Sequence, residues 1–321
     1  MIKRERVNWV YFSYSDVSHE DVMHKASTVL AAGASFGFLG PESTWIESRK
    51  PVISVCAVRT GVGKSSATRR IARFSLERRR QIRVIRHPMP YGDLEAQRIQ
   101  RFGEMEDLER FEATIEEREE YEPLLQMDIA VFAGVDYHTI LHRADQEAGL
   151  IIWDGGNNDL PFVRPDLHVV LVDPHRASDE TTYHPGEADL RMADLLIINK
   201  VDSATPEQLA LVQAAVASAT RPNTTVVLAD SVLTVADTEQ VRGKQVLVVG
   251  DGPTLTHGGM AYGAGHRHPQ AGSRRDRLRP SVCRRQHRQR LPNVPAHGRR
   301  SACPRLQYGA AGRLRGDPER R

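Results

Sequence analysis

Cysteine is scarce in this chain, with three in 321 residues, and two of them, Cys283 and Cys303, lie close to the C-terminus. Cys56 is left alone in the preceding body, which excludes a disulfide framework and fits the usage of a reducing compartment. No stretch approaches the roughly 20 apolar residues that a membrane span needs, and the charged Met1–Arg6 start is followed by no apolar signal core. The expected location is the cytoplasm, with no membrane partner. A basic surface is missing from most of the chain as well. Residues 266–321 hold 16 arginines, no lysine and three acids, Asp276, Asp317 and Glu319. The rest holds 28 basic and 38 acidic residues, so the body is near −10 and the tail near +13. An acidic body offers no electrostatic footprint for nucleic acid, and no such partner is expected.

What is present is an alternation of short apolar runs with amphipathic segments, the pattern of a parallel α/β sheet. Strands are predicted at Val7–Phe12, Ser35–Leu39, Val52–Val58, Ile82–Arg86, Ile129–Phe132 and Leu150–Trp153. Further runs follow at Leu167–Val172, Leu195–Ile198, Thr225–Leu228 and Gln245–Val249. Helices are predicted over Ser18–Ala32, opened by a Ser18-x-x-Asp21 start resembling a capping box, over Lys64–Arg80 and over Pro206–Ala219. A long solvated helix is expected from about Leu94 to Tyr121, where acids and bases alternate. The expected fold is a doubly wound, mostly parallel α/β sheet. Residues 1–50 would form a partial Rossmann-like β-α-β unit, 51–265 the main domain, and 266–321 a disordered Arg-rich tail.

The sharpest chemical signal is the apolar run ending in Thr60-Gly61-Val62-Gly63-Lys64-Ser65-Ser66, with a helix starting at once. Glycines let the chain fold tightly, so that successive N–H groups and the helix N-terminus point at phosphate oxygens. Lys64 would reach the β- and γ-phosphates, and the Ser65 hydroxyl would ligate Mg²⁺. This is a variant Walker A loop, because the position six before the lysine is Val58 rather than glycine. Against the "KGGxGK[ST]" loop of dimerising P-loop ATPases, Arg59 falls where their signature lysine sits, which makes it a catalytic candidate and a homo-oligomer conceivable. The second signal is Asp154, at the end of the run Leu150–Trp153 and beside Gly155 and Gly156. A carboxylate there is placed to hold the hydration shell of Mg²⁺. The third is Asn199-Lys200-Val201-Asp202, again ending a buried run. Its aspartate can accept from guanine N1–H and the exocyclic amine, whereas a carboxylate repels adenine N1. The plainer reading makes it a turn, with Asp202 or Ser203 capping the next helix.

Three loops after predicted strands carry groups that could neutralise an anionic metabolite: Arg86, His87, Tyr91 and Asp93 in one, His175 and Arg176 in another, and His184 in the third. Their spacing suits neither a zinc cluster nor a Ser-His-Asp triad. The Gly-rich stretch from Gly250 to Gly265 could line a second anion site or be a loop.

Taken together, "YSDVSHEDVMHKAS", "ISVCAVRTGVGKS", "RHPMPYGDL", "EEREEYEP", "FAGVDY", "DGGNND", "DPHR", "YHPGEADLRMADLLIINKVD" and "THGGMAYGAG" resemble the cyclic 2,3-diphosphoglycerate synthetase family and its bacterial relatives described as predicted GTPases. The likeness runs from about Val7 to Gly265. It implies a P-loop core, a nucleotide (ATP or GTP) with Mg²⁺, and phosphoryl transfer or ligation on a small phosphorylated or anionic metabolite. Archaeal members use ATP, which sets the family against the guanine reading of Asp202. The chain departs from the family at both ends. Family members carry more Rossmann-like sequence before Val7, and after Gly265 they continue as ordinary α/β sequence. A shifted reading frame across Pro280–Arg288 recovers a family-like stretch, so the tail reads as a frameshift product, against the alternative of a basic nucleic-acid arm. Two other functions stay open: a regulatory or metal-insertion GTPase acting on a protein, and a nucleotide-binding remnant without turnover.

Overall fold

The computed structural model describes residues 1–87, 93–156 and 159–232. Tyr91, the Gln245–Val249 run, the Gly-rich stretch after Gly250 and the Arg-rich tail lie outside the described residues.

The N-terminal part contains helix α1 (Ile2–Glu5), strands β1 (Trp9–Tyr11) and β2 (Val17–Ser18), helix α2 (His19–Ala31), strand β3 (Ser35–Gly37) and helix α3 (Pro41–Thr44). β1 and β3 pair in parallel, flanking α2 in sequence as a β-α-β unit. The Ser18 side chain accepts from Asp21 N at 3.1 Å and so caps α2, as its sequence foretold. β2 leaves this unit and pairs antiparallel with a short strand, β10, far along the chain.

Among the described residues the main sheet has eight strands. They are β4 (Val52–Ala57), β5 (Ile82–Arg86), β6 (Gln100–Phe102), β7 (Ala130–Ala133), β8 (Leu150–Asp154), β9 (Leu167–Val172), β11 (Leu195–Ile198) and β12 (Thr225–Leu228), with β10 being Tyr183–His184. Their order is β12-β11-β9-β4-β8-β5-β7-β6, parallel throughout except for the edge strand β6. Helices α4 (Lys64–Glu77), α5 (Asp107–Arg110), α6 (Ile115–Leu125), α7 (Tyr137–Glu147), α8 (Gly186–Met192) and α9 (Pro206–Ala219) connect them.

Two buried clusters show why this sheet is wound on both faces. Val55, Ala57, Val84, Val131 and Ile152 pack with Ala72 of α4 and with Tyr121 and Leu124 of α6. Cys56, Ile85, Phe132, Ile151 and Trp153 pack with Ile140, Leu141 and Ala144 of α7. Alternate residues of one strand thus feed opposite cores, so the strand reads as a continuous apolar run. Truncating a fully buried Phe or Trp in such a core typically costs about 3–5 kcal/mol. The buried residues of α4 (Thr68, Ala72 and Ser75) are small and spaced by four and three, which lets the helix lie close to the sheet.

Chain order puts the switch point at β4. From there the chain runs to β5, β6, β7 and β8 on one side, then to β9, β11 and β12 on the other. Crevices outside the strand C-termini at such a point are the usual ligand edge of open α/β sheets.

The long helix expected from Leu94 to Tyr121 is not formed. β6 interrupts it, and α5 and α6 follow as separate helices. Gln100 and Phe102 are buried with Arg101 exposed between them, an alternation of period two that the density of charge concealed. Phe102 anchors the strand against Phe111 and Tyr121, with centroids 5.2 and 4.9 Å away. α9 is capped by Thr205, which accepts from Gln208 N, and not by Asp202 or Ser203.

Candidate functional site

The phosphate loop leaves β4 at Val58 and enters α4 at Lys64. Gly61 and Gly63 have φ of 81° and 111°, a region that side chains rarely adopt. A Cβ on Gly63 would also collide with the Asn199 amide. Val58, where the usual motif has glycine, is buried, and its Cα lies 2.8 Å from where a Cβ on Gly186 would sit. The close approach at this point is therefore made by a glycine on the facing helix α8. Lys64 Nζ donates to Gly156 O at 2.9 Å and lies 3.3 Å from Asp154 Oδ1. Ser65 and Ser66 are the next residues of α4, and Ser66 Oγ accepts from Arg69 Nη2 at 3.1 Å.

Asp154 ends β8 and is only 1% exposed. Its Oδ2 pairs with Arg86 Nη1, while Arg86 Nη2 pairs with Glu120. Oδ1, the oxygen beside Lys64, has no hydrogen-bond partner. A buried carboxylate oxygen at the phosphate loop with the Lys64 ammonium 3.3 Å away could hold Mg²⁺ through its water. The same site shows that Asp154 serves a buried ion-pair network as well.

Asn199 and Lys200 reach the loop directly. Asn199 Nδ2 donates to Val62 O at 2.8 Å, and Lys200 Nζ donates to Gly61 O at 2.7 Å and to Asp173 Oδ2 at 2.6 Å. These two residues clamp the carbonyls on the outside of the loop, which helps turn its N–H groups inward. Asp202 is exposed, and its Oδ1 accepts from Ser231 N at 2.7 Å.

Arg59, the catalytic candidate of the loop, is held by two acids and a ring. Its Nε donates to Asp16 Oδ1 and its Nη1 to Asp179 Oδ2, both at 2.6 Å, and its guanidinium lies 3.6 Å over the Tyr183 ring. Thr60 Oγ1 donates to the other oxygen of Asp16 at 2.9 Å.

His87 does sit at the centre. Its side chain lies against Gly156, where an added Cβ would come within 2.6 Å of His87 Cβ and 2.9 Å of the ring, and its Nδ1 is 2.7 Å from Tyr137 Oη and 4.0 Å from Asp159 Oδ2. Burial pushes its pKa down, and the positive charges of Lys64 and Arg86 add to that. Asp93 instead accepts from Glu95 N, holding its own turn. His175 Nε2 is 3.0 Å from Ser203 Oγ, and Arg176 lies 3.8 Å from Asp173. The sequence brought His175, Arg176 and Lys200 into view separately, whereas the structure joins them around Asp173, which sequence reasoning left out. Glu120, Asp16 and Asp179 were missed for the same reason: each is one acid among many until a cation selects it.

His184 lies between Phe12 and Phe38, with centroids 5.8 and 4.7 Å away, and burial together with His19 lowers its pKa. A histidine whose folded pKa falls below the usual ~6.5 resists protonation only in the folded state, so stability drops as pH falls below that value. Replacing His184 by phenylalanine should keep the ring packing and flatten this acid-side loss. Melting temperatures at pH 7.5 and 5.5 for both proteins check it. The comparison also separates the histidine from Glu180, whose pKa burial raises and which acts in the opposite sense.

No protein-family model matches the chain. It is 53% identical over 266 residues to the arginine synthetase ArcE of Thermococcus kodakarensis; the match covers 83% of this chain and 59% of that protein's length. Among solved structures, LpxK of Aquifex aeolicus in complex with ATP is similar at 19% identity, covering 56% of this chain and 54% of LpxK, with a TM-score of 0.37. FlhF complexed with GMPPNP and Mg²⁺ is similar at 12% identity, covering 68% of this chain and 87% of FlhF, with a TM-score of 0.38. The chain thus spans under two thirds of the curated relative that it matches.

Proposed function

We propose that this chain is the nucleotide-dependent core of a synthetase that uses ATP or GTP with Mg²⁺ to activate a small metabolite by phosphoryl transfer. The observation that carries it is the convergence of Lys64, the Gly156 carbonyl and Asp154 Oδ1 at a glycine-lined strand-to-helix loop. Lys64 would leave its present partners for the β- and γ-phosphates. Ser65 and Asp154 would hold Mg²⁺, which neutralises charge developing on the transferred group. His87, half-buried beside Lys64, is the best placed of the candidate groups to meet the acceptor. The relative named arginine synthetase points to an amino-acid product with a guanidinium group rather than to a phosphoglycerate. In that setting phosphoryl transfer would turn a poorly departing oxygen into a good leaving group. The boundaries proposed for the nucleotide domain are 51–265.

The base is proposed to meet Asp202, which is exposed at the same edge. If it reads guanine, GTP binds more tightly than ATP, and Asp202→Asn shifts preference toward xanthine nucleotides, whose C2 oxygen prefers a donor. Competition titrations with ATP, GTP and XTP, then turnover with ureido and guanidino amino acids, test both halves. Equal or tighter ATP binding removes the base role from Asp202 and leaves Asn199 and Lys200 as clamps of the loop. No nucleotide binding at all defeats the proposal.

A further inference from the structure

Beneath the phosphate loop lies a polar group that the reading above does not use. Ser54 and Cys56 are two residues apart on β4 and so project to the same face. Ser54 is in register with His168 of β9, and Asp189 comes down onto them from α8. All four are buried, with exposures of 0% for Ser54, Cys56 and Asp189 and 2% for His168. Cys56 Sγ, a ring nitrogen of His168 and a carboxylate oxygen of Asp189 all lie within 4.8 Å of one another, the one such group among the described residues.

The buried carboxylate of Asp189 is partnered from within this group. His168 Nε2 lies 3.1 Å from Asp189 Oδ1, and the Cys56 thiol lies against the same carboxylate. Burying a carboxylate, an imidazole and a thiol together carries a desolvation cost that their mutual contacts repay only in part, and a divalent cation is one of few groups that remove it. We propose that Cys56, His168 and Asp189 form a structural zinc site that ties β4, β9 and α8 together under the phosphate loop.

The donor set suits it. A thiolate, a carboxylate and a neutral imidazole balance a dication, and a water would complete the four positions of a tetrahedron. Soft sulfur with nitrogen and oxygen is a zinc-type set rather than a magnesium one. Ser54 supplies the outer partner: its Oγ is 2.6 Å from His168 Nδ1, and with a metal bound Nδ1–H would donate there while Nε2 gives its lone pair to the ion. On uptake the Cys56 thiol gives its proton to solvent as the S–Zn bond forms. Tetrahedral ligand atoms on zinc stand about 3.5 Å apart, so closing onto the ion needs roughly 1 Å of adjustment. With all three donor residues buried, the metal would enter as the chain folds.

The test uses the full chain with Cys283→Ser and Cys303→Ser, so that Cys56 is the only thiol. After expression with zinc and dialysis, one equivalent should remain by elemental analysis, and exchange for Co²⁺ should give a sulfur-to-cobalt charge-transfer band with tetrahedral d–d bands. Adding Cys56→Ser should remove the charge-transfer band, and His168→Gln or Asp189→Asn should lower metal retention at least tenfold. The deciding cobalt spectrum is read on protein carrying none of these three site variants, so a variant that fails to fold does not spoil the test. Ion held at the phosphate loop would show no sulfur band. Metal-free protein after zinc-supplemented expression, or cobalt binding without that band, overturns the proposal and leaves a buried His168–Asp189 ion pair.

Discussion

Lys64→Ala is expected to lower nucleotide turnover by at least ~10²–10³-fold, the size of effect seen when one donor to developing negative charge is removed from an enclosed site. The fold should survive. Lys64 starts α4 at the rim of the loop, and its removal leaves Asp154 still paired with Arg86. Alanine also favours the helix. Circular dichroism and melting temperature should therefore stay close to those of the wild type while turnover and γ-phosphate discrimination collapse. Triphosphate affinity should fall toward that of the diphosphate, because the lost charge sits at the β- and γ-positions. Unchanged turnover in a folded variant would remove the phosphate-loop assignment.

The largest stability effect should come from Arg86→Met. Arg86 is buried and bridges Asp154 and Glu120. Burial works against its charge, but the two acids outweigh that and hold its pKa above the usual value. Methionine keeps much of the volume and removes the cation, so Asp154 is left buried with only Lys64 beside it. Stripping one partner from a buried pair typically costs about 3–5 kcal/mol, which chemical denaturation would read directly. A second change, Asp154→Asn, should restore part of the loss, because the uncompensated charge goes with it. A loss under ~1 kcal/mol would mean that water already reaches this network.

The extent to which the sequence disclosed this arrangement follows from how local each signal is. The strands Ile82–Arg86, Leu167–Val172, Leu195–Ile198 and Thr225–Leu228 stand in the structure at the bounds that their apolar runs suggested. Buried parallel strands need no partner to declare themselves, because both faces are apolar. The phosphate loop was equally legible, being one unbroken string. β6 was not, because two buried residues in a charged stretch are too few to reveal a period. Nor could the sequence anticipate that Arg59 would be held by Asp16 and Asp179, or that Gly186 would take over the close approach that Val58 lacks. Such pairings depend on the tertiary path, and composition carries no trace of it. The boundary at residue 50 is less sharp than the sequence suggested, since β2 pairs with β10 across it.

The grip on Arg59 has a consequence for how this chain can change over time. One guanidinium is shared by an acid 43 residues earlier and another 120 residues later, with the Tyr183 ring beneath it. No one of the four can drift freely, since losing either acid leaves a buried cation short of charge and losing the arginine sets two carboxylates facing each other. The segment around Asp16, the loop and the segment around Asp179 are thus bound to be inherited as a set. A hybrid that took its first fifty residues from a distant relative would have to bring a compatible loop with them, or fail at this joint before any question of substrate arose.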